Sequence, residues 1–343
     1  MKAPGQKSNK LITLAKLAIL VAILTWIVAT FPKKDWDTLV SQPKDWSLLG
    51  MALLIVLAAH LITFWRWQIL VNALGVPMSL LEAIRLGFLG TMLNMVSVGA
   101  VGGDLFKAIA AARKTEKKRA EVVTSVLVDR AIGLLGLIIV AAISLSFPSE
   151  LTVQLQWIHR GAVTLALIGL AVIAAIVIFG HHLPIKQLSR IPGIGHLLYR
   201  IANACMVFQG RPILVLQMLI ATLIVHSFST SAAWFVSRAL YATAPTLAQH
   251  FQAIPPALAA ATLPLTPGGV GVQEVAIQTL FNEVEGIPEG FSGLIVAAMI
   301  RVILIIIALI GAAVYFTGNE RRWVEVDEGK VAPDPSEARV RSR

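Results

Sequence analysis

Apolar residues fill this chain in blocks long enough to cross a bilayer, and the polar positions fall between the blocks. Six blocks predict full spans, at 11–31, 48–72, 120–146, 160–180, 212–240 and 291–317, because about 20 apolar residues of helix cover the hydrocarbon thickness. Two further apolar stretches, 82–113 and 247–284, break at glycine and proline clusters. The first break is Val98-Gly99-Ala100-Val101-Gly102-Gly103, and the second runs from Pro264 through Pro267, Gly268 and Gly269 to Gly271. The short helical patterns after them, 104–113 and 272–281, are too short to span.

The positive residues give these stretches a direction, since cytoplasmic loops are enriched in Lys and Arg. Lys2, Lys7 and Lys10 place the N-terminus in the cytoplasm, and the block Lys107, Arg113, Lys114, Lys117, Lys118 and Arg119 places residues after the first break there too. Lys33, Lys34, Lys44 and Arg160 fall outside. With two spans before it, 82–113 enters and leaves on the cytoplasmic side, as a re-entrant hairpin. Broken backbone at membrane depth is tolerated only where protein or water satisfies it. Lys186, Arg190, Arg200 and Arg211 mark 181–211 as cytoplasmic, 247–284 dips in from outside, and Arg321 and Arg322 hold the tail inside. The run 11–31 is too long for a signal-peptide core and lacks a clear cleavage site, so it is predicted to be a retained helix.

The predicted fold is therefore an all-α polytopic membrane protein with about six transmembrane helices plus two re-entrant helical hairpins (eight membrane helices if the hairpins span fully). An odd number of spans per half makes the halves inverted repeats. Residues 1–150 form the first repeat, 151–317 the second, and 318–343 a polar, disordered tail. Residues 194–208 read either as an interfacial helix or as a linker.

Composition agrees with this class. Hydrophobic residues make up 57% of the chain and charged residues 14%, with a mean hydropathy of +0.77, which a soluble surface does not support. The net charge of +10 marks loops and lipid-facing ends. No nucleic-acid module interrupts the pattern, so nucleic acid is not a predicted partner. Cys205 is the only cysteine, which excludes an internal disulfide and a multi-cysteine zinc site. No Walker loop, dinucleotide fingerprint or nucleophile elbow is present, and no cofactor is predicted.

Charges inside the apolar blocks carry the candidate chemistry, because a buried charge in hydrocarbon is costly and is retained for a partner or a function. Arg66, Asp104 and Arg130 recur as Arg238, Glu274 and Arg301, displaced by 172, 170 and 171 positions. Asp104 and Glu274 follow the glycine breaks at the starts of short helices. They read either as helix caps or as carboxylates that alternate between arginine-bound and protonated states. Asp104–Arg130 and Glu274–Arg301 are the expected pairings. Arg130 and Arg301 also offer planar forks suited to phosphate. The breaks themselves, with Gly102, Gly103, Gly268 and Gly269, read either as an anion cradle at a helix start or as close helix packing through small residues. Arg66 and Arg238 sit near tryptophans toward helix ends, and Arg66 is expected to snorkel to the interface. His60 and His226 could bond neighbouring helices or relay protons; their spacing does not suit a metal. Asn94, Ser97, Thr262 and Thr266 could line a polar path or satisfy freed backbone.

The segments Gly99-Ala-Val-Gly-Gly-Asp-Leu-Phe-Lys-Ala108, Ser125-Val-Leu-Val-Asp-Arg130-Ala-Ile-Gly-Leu134 and Pro267-Gly-Gly-Val-Gly-Val-Gln-Glu274 together resemble the lysylphosphatidylglycerol synthase transmembrane-region family, also called flippase-like domain proteins. The resemblance covers nearly the whole chain before the tail. It implies translocation of an amphipathic lipid, with phospholipids, polyprenyl-linked sugars and hopanoids as the family's range. The soluble aminoacyl-transferase domain of the bifunctional synthases has no counterpart here, so lysine transfer is not expected. Gln273 stands where the family commonly has Arg before the Glu. The resulting expectation is an inner-membrane lipid flippase for an anionic or phosphate head group, with both termini cytoplasmic. The alternative is an intramembrane transferase acting on a polyprenyl-linked sugar or another lipid. Neither the oligomeric state nor a driving ion is fixed by the sequence.

Overall fold

In the computed structural model the described residues lie between 40 and 317, leaving out 42, 97–101, 113–117, 148–149, 183–184, 263–270 and most of 193–204. The expected first span, the polar tail, Gly99, Ser97, Thr266, Gly268 and Gly269 lie outside them. Among the described residues nine longer helices carry the architecture: α1 (Trp46–Ala73), α2 (Leu80–Val96), α3 (Gly102–Ala112), α4 (Arg119–Ser144), α5 (Val153–Phe179), α6 (Pro212–Leu240), α7 (Leu247–Ala261), α8 (Val272–Glu283) and α9 (Gly293–Thr317). Short helical turns at Gly180–His182, Ile185–Leu188 and Met206–Phe208 link α5 to α6. No strand occurs among the described residues.

Five of these helices, α1, α4, α5, α6 and α9, are long and apolar enough to cross a membrane. On α5 the side chains of Leu165, Leu167, Ile168, Leu170, Val172, Ile178 and Phe179 are exposed. An apolar surface of that extent is stable only against lipid, and the protein is multi-pass.

Local chemistry sets the helix ends. Asp45 Oδ1 caps α1, accepting the Ser47 and Leu48 backbone N–H groups at 2.9 and 3.2 Å. Its hydrogen bonds, led by that from the Ser47 hydroxyl, hold its carboxyl below the usual range. Thr246 and Gln249 close a reciprocal capping box on α7. Pro212 sits in the first turn of α6, where its missing N–H costs nothing. The Thr152 cap starts α5 before its apolar block begins. Arg160, expected in the loop from hydropathy alone, therefore lies within this helix, its guanidinium 5.6 Å from the Trp157 ring.

Both glycine-broken stretches form antiparallel helical hairpins. In the first, the Gly103 N–H donates to Asn94 Oδ1 at 2.8 Å, and a Cβ on Gly103 would stand 1.8 Å from the Gly90 carbonyl oxygen. In the second, the open ends are joined by Gln249 Nε2 donating to the Glu285 carbonyl at 2.8 Å. His250 meets Phe281 edge-on at 5.1 Å.

Among the described helices, α1 and α6 share the most extensive contact. The two helices carry the buried small residues Ala52, Ala59, Ala221, Ala232, Ala233 and Ser237. Small side chains let membrane helices approach closely, where lipid supplies no hydrophobic drive between them. Around this pair the contacts are reciprocal. The first hairpin's α2 packs on α9, and the second hairpin's α7 packs on α4; α3 packs on α4, and α8 on α9. One apolar cluster joins Val56 and Phe88 from the first half to Val236, Ile254, Ile277 and Ile303 from the second.

Candidate functional site

Helix geometry explains why the charges meet. Asp104 and Glu274 are each the third residue of a short helix, α3 and α8. Arg130 and Arg301 lie in the interiors of the long helices on which those short helices pack. Both expected pairings form. Arg130 Nε donates to Asp104 Oδ2 at 2.6 Å, and its Nη2 contacts the same oxygen. Arg301 donates to Glu274 Oε1 through Nε at 3.0 Å and Nη2 at 2.7 Å. Glu274 also caps its own helix, since Oε2 accepts the Gly271 N–H at 2.7 Å. Gly271 has a φ of +84°, a conformation glycine adopts without strain. The cap and the ion pair thus coexist on one carboxylate.

The surroundings of the two arginines differ. The Arg130 side chain is 54% exposed, whereas that of Arg301 is 7% exposed. Arg301 Nη2 also donates to Gln273 Oε1 at 3.4 Å. An arginine at position 273 would bring a second cation there, so the neutral amide suits a site that already holds Arg301.

Two arginine expectations are corrected, and Lys107 of the basic block makes a contact not expected of it: it is buried, with Nζ 2.7 Å from Asp104 Oδ1 and 5.3 Å from the Trp67 ring centroid. Its spacing of three from Asp104 puts both on one helix face, a signal present in the sequence. Arg66 does not snorkel. It is 4% exposed and holds Asp129 bidentately, Nε to Oδ1 at 2.9 Å and Nη2 to Oδ2 at 3.0 Å. Its Nη1 donates to Thr222 Oγ1 at 2.6 Å. This network ties α1, α4 and α6 together, and such a fork is the strong form of an ion pair. Arg66 and Arg238 are also not equivalent. Arg238 is exposed at the end of α6, 5.0 Å over the Trp234 ring, as an interfacial residue is.

The remaining candidates are placed as follows. His226 Nε2 lies 2.9 Å from the Gly133 carbonyl on α4, a link between helices. His60 Nδ1 lies 2.8 Å from the Val56 carbonyl of its own helix. Gly102 opens α3. At Gly103 the observed geometry is that of close packing, and its N–H is occupied by Asn94. Asn94 satisfies that backbone group, and Thr262 donates to the Ala259 carbonyl at 2.7 Å. Among the described residues no group of three His, Cys, Asp or Glu converges as a metal set. Asp129 and Thr222 escaped the sequence reading because neither recurs in the other half.

The family model described as lysylphosphatidylglycerol synthase TM region matches residues 13–311. The chain belongs to this family. Membership in the lysylphosphatidylglycerol synthase transmembrane-region family fits a lipid-related, flippase-like role in the membrane. No curated protein matches the chain.

Proposed function

We propose that the chain translocates an amphipathic lipid with an anionic or phosphate head group between bilayer leaflets. The observation that carries this reading is the pair of carboxylate–arginine contacts set in an apolar bundle, one on each hairpin. Charges retained in hydrocarbon commonly mark substrate or ion pathways. Arg130 and Arg301 engage the head group, and Asp104 and Glu274 are the partners they exchange. Residues 1–150 and 151–317 act as inverted repeats around this site, an arrangement that reciprocal helix contacts favour. The protein resides in the inner membrane with both termini in the cytoplasm. The acyl chains stay in lipid while the head group passes between the halves.

Proteoliposomes test the reading. Head-group-labelled phospholipid should exchange leaflets without forming a new lipid species, and Arg301→Lys should stop exchange because an ammonium cannot replace the bidentate fork. A new lipid product would instead support a transferase, and equal exchange by wild type and Arg301→Lys would remove the head-group role. Orientation is read separately. A cysteine placed at 285 in a Cys205→Ala background should be labelled from outside, and labelling only from the cytoplasm would overturn the inverted arrangement.

A further inference from the structure

The two hairpins differ in how their carboxylate is held. Among the described residues Glu274 meets one cation, Arg301, while Asp104 meets two. The two cations on Asp104 use different oxygens, Lys107 on Oδ1 and Arg130 on Oδ2. Turning Arg301 away strands the Glu274 oxygen it covers. Turning Arg130 away leaves Asp104 paired, because Lys107 stays. An unpaired carboxylate at this depth is strongly disfavoured, so only the first hairpin can release its arginine without that penalty.

Lys107 is built to stay. Its ammonium sits against the Trp67 ring, and Trp67 is itself fixed by donating to Ser125 Oγ at 3.3 Å. Its stem passes Gly90, where a Cβ would stand 2.8 Å from Lys107 Cδ. Arg130, by contrast, is half exposed on a strip with Leu127, Ala131 and Leu134, at helical spacings of three and four. It lies eleven residues into α4, about 16 Å along the axis, well inside a hydrocarbon layer about 30 Å thick. At that depth the exposed side of Arg130 falls within the acyl layer. A phosphate reaches that side when carried by lipid chains; a free phosphate would have to leave water.

We propose that the anionic lipid head group loads at Arg130 on the first hairpin, with Lys107 holding Asp104 while the Arg130 fork turns to the phosphate, and that the Arg301 pair stays closed in this state. The inference rests on the lipid-translocation reading and assigns the two halves different tasks within it.

Calorimetry on the purified full-length protein in detergent tests it, with short-chain phosphatidylglycerol as one probe and glycerol phosphate as the other. Lysine replacements keep both charges and so protect folding. Arg130→Lys should weaken phosphatidylglycerol binding about tenfold or more, and Arg301→Lys by less than about twofold, because only the fork at 130 is in use. Lys107→Met should also weaken binding about tenfold, since Arg130 is then the sole cation on Asp104. Glycerol phosphate should bind far more weakly than the lipid. Equal losses from the two lysine replacements, an unaffected Lys107→Met, or equal binding of both probes would each overturn the proposal. Leaflet exchange measured on the same proteins separates the two claims. Binding that follows Arg130 without exchange in the wild type removes translocation and keeps the docking site. Exchange with equal sensitivity of binding at both arginines does the reverse.

Discussion

In the first half Asp104 lies between Lys107 and Arg130; in the second, Glu274 meets Arg301, and Ile277 occupies the position 170 residues after Lys107. The remaining oxygen of Glu274 goes to its own helix start. One lysine-for-isoleucine difference thus changes which partner can leave. It also changes packing at this position: Ile277 is fully buried in an apolar cluster, whereas Lys107 is buried against Asp104 and the Trp67 ring. A second asymmetry reinforces the first. The α4 helix carries Asp129 beside Arg130 and is latched by Arg66 on one side and by the hairpin on the other. On α9 the residue before Arg301 is Ile300, which packs against the apolar core. Recurrence of a motif therefore does not imply recurrence of its role.

The largest effect is expected at the latch that only the first half has. Asp129→Ala should cost about 3–5 kcal/mol, because it leaves Arg66 buried without its carboxylate. Unfolding in detergent measures this, and the Asp129→Ala, Arg66→Met double variant should recover part of the loss. Simple additivity would show that the two are not coupled.

Next comes a direct contrast between the pairs. Arg301→Met should destabilise by about 3–5 kcal/mol, since Glu274 loses its cation in a buried setting. Arg130→Met should cost less than that, since Lys107 remains on Asp104 and keeps its carboxylate paired. Equal melting shifts for the two variants would erase the distinction between the halves.

Gly103→Ala probes the packing of the first hairpin. The added methyl has no room against the Gly90 carbonyl, and overpacking of this kind costs about 1–3 kcal/mol. An unchanged melting temperature would show that the hairpin is not closed there.

The smallest effect concerns the seam between the halves. Cys205 packs against the cluster of Leu70, Val128, Ile132, Phe208 and Met218, and burial pushes its thiol up to about 11. Maleimide labelling of the folded protein should be slow at pH 7.5 and should accelerate as pH rises toward 11, because the thiolate is the nucleophile. Fast labelling at neutral pH would mean that this seam opens.

The sequence by itself determined the class, the helices and the two main pairings. Hydrophobic length fixes a span because a bilayer accepts little else. The glycine breaks, each followed by a short helix with an acid near its start, were legible because helix starts have a strong local grammar. Asp104–Arg130 and Glu274–Arg301 followed from the rule that a charge in hydrocarbon needs an opposite one. Other features depended on which helix faces meet, which hydropathy does not encode. Arg66 read as an interfacial snorkel beside two tryptophans, yet the close α1–α6 seam turns it inward to Asp129 and Thr222. Lys107 read as one more cation in a basic block, yet the tight Gly90–Gly103 crossing places it against Asp104. The constant offset paired Arg66 with Arg238, although packing buries Arg66 against Asp129 and leaves Arg238 exposed beside Trp234. Charge identity is local, whereas its partner and its exposure are set by the packing of helices distant in sequence, and only the tertiary structure decided those.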